Sequence, residues 1–199
     1  MKVSFFTRKA IPFFIGGNME RTVYTKTKHL INHLVFSALC LALCIVLPFL
    51  TGQIPEIGSM LCPMHIPVLL CGFACGWPWG AVVGLIAPLL RFLLFSMPPL
   101  MTAIPMAAEL AVYGIVCGIM YRLLPKKIGY IYIDLISAMI FGRLVWGAVR
   151  FAMTGFSSTA FPFTAFWAGA VVNALPGIIL QLVLIPAVII TLKKAKFIE

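Results

Sequence analysis

Three arginines and a glutamate lie where a hydrophobic chain has least use for them. Arg91, Glu109, Arg143 and Arg150 all fall inside long apolar runs. Hydrocarbon gives an unpaired charge no solvent, so each must face protein, water or a ligand. Arg143, Trp146, Gly147 and Arg150 are spaced i, i+3, i+4 and i+7, which on a helix puts two guanidinium groups and an indole on one face. Met106, Glu109 and Tyr113 share a face by the same spacing, and so do Phe166, Ala170 and Asn173, with Trp167 alongside. Three arginines against one nearby carboxylate leave net positive charge, which a bound anion would balance. The chemistry this predicts is recognition, with cations for an anionic group and rings for an apolar or ring portion. The competing reading is a set of structural ion pairs, with Arg150 snorkelling at a membrane boundary.

Catalysis has no obvious residues to use. The chain contains no Gly-x-x-x-x-Gly-Lys-Ser/Thr phosphate loop, no Gly-x-Ser-x-Gly elbow and no His-Glu-x-x-His zinc motif. Asp134 is its one aspartate, which excludes a paired-aspartate site. No cofactor motif is present. Cys40, Cys44, Cys62, Cys71, Cys75 and Cys117 lie mostly within apolar runs. Cys71 and Cys75 have helical spacing but no histidine or carboxylate to complete a metal site, so the thiols read as small buried hydrophobes. His65 reads as a capping or loop hydrogen-bonding residue, not a metal ligand. Asp134 and Gln181 read as structural.

The elements that must position these residues are membrane helices. Of 199 residues, 62% are hydrophobic and 10% charged, with mean hydropathy +1.09, against roughly 25% charged in soluble domains. A span takes about 20 residues, and the apolar runs are continuous, not alternating as in a barrel. The expectation is an all-α integral membrane protein, a bundle of six transmembrane helices in one domain over 30–192. The spans are expected at about 30–50, 65–77, 81–97, 102–123, 130–153 and 162–192, with a tight aromatic turn at Gly76-Trp77-Pro78-Trp79-Gly80. A basic lead (1–29) and a basic tail (193–199) flank the domain. Gly16-Gly17-Asn18 before Met19 also reads as a translated ribosome-binding tract, in which case the native chain starts at Met19.

The net charge of +10 is distributed as a membrane protein needs it, not as nucleic-acid binding would. Twelve of the fifteen Lys and Arg residues sit in the lead, at Arg122, Lys126 and Lys127, or at Lys193, Lys194 and Lys196. The intervening loops on the other side hold none. Both termini are therefore expected in the cytoplasm. On this topology Arg91 and Glu109 are expected at about the same depth, about 10 Å below the outer surface, close enough to pair.

The size, the six spans, the Ala38-x-x-x-Ala42 pair on the first span and the run IPVLLCGFACGWPWGAVVGLIAPLLR from Ile66 to Arg91 resemble one family. It is that of the substrate-binding S components of energy-coupling factor (ECF) vitamin transporters, over about Leu34 to Lys196. The turn at Gly76–Gly80 departs modestly from the family's Gly-Pro-like form. The resemblance implies a multi-pass protein of a prokaryotic plasma membrane that binds a vitamin or related small molecule in the outer half of the bundle. It implies no enzyme activity. The small-residue face at Ala38 and Ala42 would dock on a transmembrane coupling protein driven by two separate ATPase subunits, and loops 51–64 and 97–101 would close over the ligand. Arg91, Arg143 and Arg150 would then supply charge, Glu109 and Asn173 hydrogen bonds, and Tyr113, Trp146, Phe166 and Trp167 cover. A small anion such as pantothenate fits best and a pyridoxine-like ring compound next. The alternatives are an intramembrane lipid-modifying enzyme and a structural membrane protein whose buried charges pair only with one another.

Overall fold

The computed structural model describes the backbone of residues 10–51, 61–125, 127–155 and 174–195, and the side chains of 27–50, 61–125, 127–154 and 174–195. The described elements are α1 (Ala10–Val46) with a 3₁₀ turn at Leu47–Thr51, α2 (His65–Cys75), α3 (Trp77–Phe95), α4 (Leu100–Leu123), α5 (Ile128–Gly155) and α6 (Leu175–Lys194). No strand occurs among the described residues. Two compact units divide the chain, Met1–Val35 and Phe36–Glu199. In the first, the described backbone is continuous helix, Leu30, Ile31, Leu34 and Val35 are exposed, and the His29 and His33 rings stack 6.3 Å apart.

Five helices are long and apolar enough to cross a membrane, over Thr27–Leu50, Trp77–Phe95, Leu100–Leu123, Ile128–Thr154 and Leu175–Lys194. The expected second span is shorter than anticipated. At 11 residues α2 is about 16 Å long, below the length of a span. It is instead the centre of the second unit, with His65–Leu69, Cys71–Phe73 and Cys75 all buried. Ile66, Leu69 and Phe73 pack with Tyr113, Cys117 and Tyr121 of α4, Leu135 and Met139 of α5, and Ile185 and Ile189 of α6. Val68, Cys71 and Cys75 pack with Cys40 and Cys44 of α1, Val83 and Ala87 of α3, and Leu110 of α4. A helix apolar all round is stable only when enclosed on every side.

The expected aromatic turn contracts to one residue. Gly76, at φ +89°, caps α2 and starts α3, and Trp77, Pro78, Trp79 and Gly80 already belong to α3. Proline lacks an N–H, and the first turn of a helix leaves that donor unbonded anyway, so Pro78 starts α3 where a turn between helices was expected. Pro176 likewise lies in the first turn of α6. That helix begins at Leu175, not at the expected 162, and 162–173 lie outside the described residues.

α3 and α4 meet backbone to backbone. A Cβ at Gly80 would lie 2.9 Å from the Cα atoms of both Gly114 and Gly72. One at Gly84 would strike the Leu110 carbonyl, one at Gly114 the Gly80 carbonyl and one at Gly118 the Trp77 backbone. Gly76, Gly80 and Gly84, four apart, thus run against Gly114 and Gly118. Between membrane helices, where water supplies no hydrophobic drive, such close approach is what gains dispersion contact. Many other large aliphatic side chains face away from the centre, with Leu93 76%, Leu123 78% and Val183 69% exposed, as expected where the surrounding solvent is lipid.

Candidate functional site

The polar groups of the second unit converge on Glu109. Its side chain is 1% exposed, and its Oε1 collects three neighbours from three helices. Arg143 Nε of α5 lies 3.2 Å away and His65 Nε2 of α2 lies 3.5 Å away. The Tyr113 hydroxyl, one turn along α4, donates to it at 3.1 Å. The His65 ring stands edge-on to Tyr113, with centroids 5.2 Å apart. Room for Tyr113 comes from Gly142 on α5, where a Cβ would overlap the tyrosine ring. Arg143 Nη2 also donates to Cys62 Sγ at 3.7 Å. Burial pushes the Cys62 thiol up from its ordinary value, and the Arg143 charge works against that shift.

Arg91 does not join this cluster. Its guanidinium donates from Nη1 to the Ile45 carbonyl at 2.7 Å and sits over the rings of Phe49, at 5.1 Å, and Phe95, at 5.7 Å. The side chain is 3% exposed, yet neither ion pair among the described residues involves it. The expected Arg91–Glu109 pair is therefore replaced by Arg143–Glu109, and the helix ends explain why. α3 stops at Phe95 and α4 starts at Leu100, so at ~1.5 Å per residue Arg91 lies about 6 Å from its helix end and Glu109 about 14 Å from its own.

The other expected residues fall into three groups. Trp146 and Arg150 lie on the inward-facing side of α5 with Arg143, Gly142 and Gly147, all buried or half-buried. Arg150 Nη1 donates to the Met101 carbonyl at 2.8 Å, bringing α5 to the start of α4. Ala38 and Ala42 are exposed, while Ser37, Cys40 and Cys44 on the same helix are buried. Phe166, Trp167 and Asn173 lie outside the described residues. Two contributors were not expected, His65 and Cys62. A lone histidine at an expected span edge has no spacing to announce it, and only the packing of α2 against α4 brings it to Glu109.

Asp134 and Gln181 are buried at 0% and 2% exposure, and Asp134 of α5 lies beside the buried Cys117 thiol of α4. All six cysteines are free and buried.

The sequence profile of the family described as ECF transporter, substrate-specific component, matches residues 32–189. The chain belongs to that family. No curated protein and no solved structure matches it. ECF substrate-specific components work with a transmembrane coupling protein and ATPases, and the chain is accordingly a multi-pass plasma-membrane transporter component. The match covers α2 to α5 whole, so the Glu109 cluster and Arg91 both lie within the part the family defines.

Proposed function

We propose that this ECF substrate-specific component captures a small anionic vitamin, pantothenate-like before pyridoxine-like, at the end of the bundle holding Arg91 and the Glu109 cluster. The vitamin would be handed on through a separate coupling protein and two ATPase subunits. The observation that carries this reading is Arg91. It is a buried cation with a backbone carbonyl and two ring faces as neighbours and no carboxylate among the described residues. Glu109 and Arg143 neutralise one another, so the positive charge at Arg91 is left for an anion. Arg143 and Arg150, both partly exposed, supply further donors, and the half-buried Trp146 offers ring surface.

The basic segments at Arg122, Lys127, Lys193 and Lys194 sit at the opposite ends of α4, α5 and α6. With α2 crossing as a short segment enclosed by the longer helices, this supports six crossings with both termini cytoplasmic and the site toward the outside. Glu109 then acts as the group that positions Arg143 and Tyr113.

Isothermal titration of the detergent-purified protein with pantothenate and with pyridoxine tests the reading. Saturable binding of pantothenate, weakened about 10- to 100-fold by Arg91→Gln, is expected if a charge-assisted hydrogen bond of about 1.5–3 kcal/mol is lost. Binding of pyridoxine alone, or equal binding by wild type and Arg91→Gln, would overturn it.

A further inference from the structure

The end of the second unit away from Glu109 gathers cations. Arg122 lies in the last turn of α4, Lys127 just before α5, and Lys193 and Lys194 in the last turn of α6. The acidic side chains among the described residues are Glu109, at the other end, and Asp134, which is enclosed beside Cys117. No ion pair among the described residues involves Arg122. Two of the cations are seated by packing. The Arg122 guanidinium lies across Gly76, the joint between α2 and α3, where a Cβ would stand 2.6 Å from Nη2 and 3.2 Å from Cζ. Gly118, one turn earlier on the same face of α4, meets the backbone of Trp77. The Arg122 charge is therefore held beside Trp77, the exposed first residue of α3. Lys193 Nζ sits over the Tyr121 ring, 5.3 Å from its centroid. Tyr121 is itself fixed edge-on against Phe73 of α2.

We propose that this end of the bundle binds the headgroup of an anionic phospholipid, with the Arg122 guanidinium on the phosphate and Lys127 and Lys194 adding to the field. Charge and apolar surface together select that ligand. Arg122, Lys127 and Lys194 are exposed, and so are Ile119 and Leu123 on α4 and Ile128 beside Lys127. A head bound at Arg122 would lay its acyl chains along Trp77, Ile119 and Leu123. A guanidinium offers a phosphodiester two parallel donors. A zwitterionic headgroup would bring its own ammonium into a field that is already positive. A free phosphate, or an acidic polypeptide, would match the charge and leave the apolar strip uncovered. Cations clustered between helix ends at the level of the headgroups attract anionic lipid in this way. The inference does not depend on what Arg91 captures, and on the topology proposed above the lipid belongs to the cytoplasmic leaflet.

The test is native mass spectrometry of the full chain from nanodiscs of phosphatidylglycerol and phosphatidylcholine in equal parts, with the lipids still bound counted by type. Wild type should retain phosphatidylglycerol in preference, and Arg122→Gln should lower that preference about fivefold. Lys28→Gln removes one exposed charge from the first unit and should leave the preference unchanged. The ratio is read within each sample, so a lower folded yield of a variant does not disturb it. Equal retention of the two lipids by wild type needs no variant to fold; it would overturn the proposal and leave the cations to an acidic protein surface. An equal drop in Arg122→Gln and Lys28→Gln would overturn it too, since the attraction would then be diffuse. Phosphate ion retained in place of lipid, when sodium phosphate is added, would assign the cations to a free anion and overturn it as well.

Discussion

One carboxylate oxygen, Glu109 Oε1, holds together three helices through His65, Tyr113 and Arg143, and its removal should be felt by all of them. Glu109→Gln leaves Arg143 charged without its counter-charge, and breaking a buried pair costs about 3–5 kcal/mol. Arg143→Gln should cost a similar amount. The double variant should cost clearly less than the sum, because both singles lose the same contact. Denaturant unfolding in detergent measures all three, and additive losses would mean that the pair contributes nothing. At this scale the sequence was informative about residue type more than about partner. A glutamate and arginines inside apolar runs announce a polar site in lipid, but which arginine meets Glu109 depends on helix ends set by Ser96 and Pro99. Those ends shift Arg91 outward and Glu109 inward by two residues each, and Arg143 stands beside Glu109 instead.

Among the elements, the glycine seam between α3 and α4 sets the distance at which every site residue on those helices stands. Gly114→Val would place side-chain atoms against the Gly80 carbonyl and force the two backbones apart. Folded yield in fluorescence-detected size-exclusion chromatography should drop severely. Gly129→Ala, with nothing within 4 Å of its Cβ, should leave yield unchanged or slightly raised, by up to about 1 kcal/mol of helix propensity. Gly142→Ala is the more informative case, since its Cβ would displace the Tyr113 ring. It should weaken ligand binding more than it lowers melting temperature. Hydropathy located these helices but carried no signal for how short α2 is or that its neighbours bury it on nearly every side. The Gly76–Gly80 stretch misled for a related reason, because Trp-Pro-Trp-Gly carries turn residues and helix-start residues at once. Only the +89° φ at Gly76 decides between them.

For the molecule as a whole, the charge asymmetry and the burial of every cysteine make topology directly measurable. A membrane-impermeant maleimide has little native thiol to react with. It should label Ser96→Cys in intact cells and Lys127→Cys only after permeabilisation. The reverse pattern would overturn a cytoplasmic placement of both termini. The family, the helical class and the membrane setting were legible in the sequence because they rest on composition and on one long motif. The outer residues Phe166, Trp167 and Asn173 remain expectations from helical spacing alone. The backbone seam also bears on the order of events when the chain enters the bilayer. Two helices that join through glycines freeze almost no rotamers on meeting, and a link of only a few residues, Ser96–Pro99, keeps them close. The Trp77–Leu123 hairpin should therefore be the first tertiary contact to form. α2 emerges before it but has both faces apolar and too little length to rest in lipid alone, so it must wait for that hairpin to give it a wall.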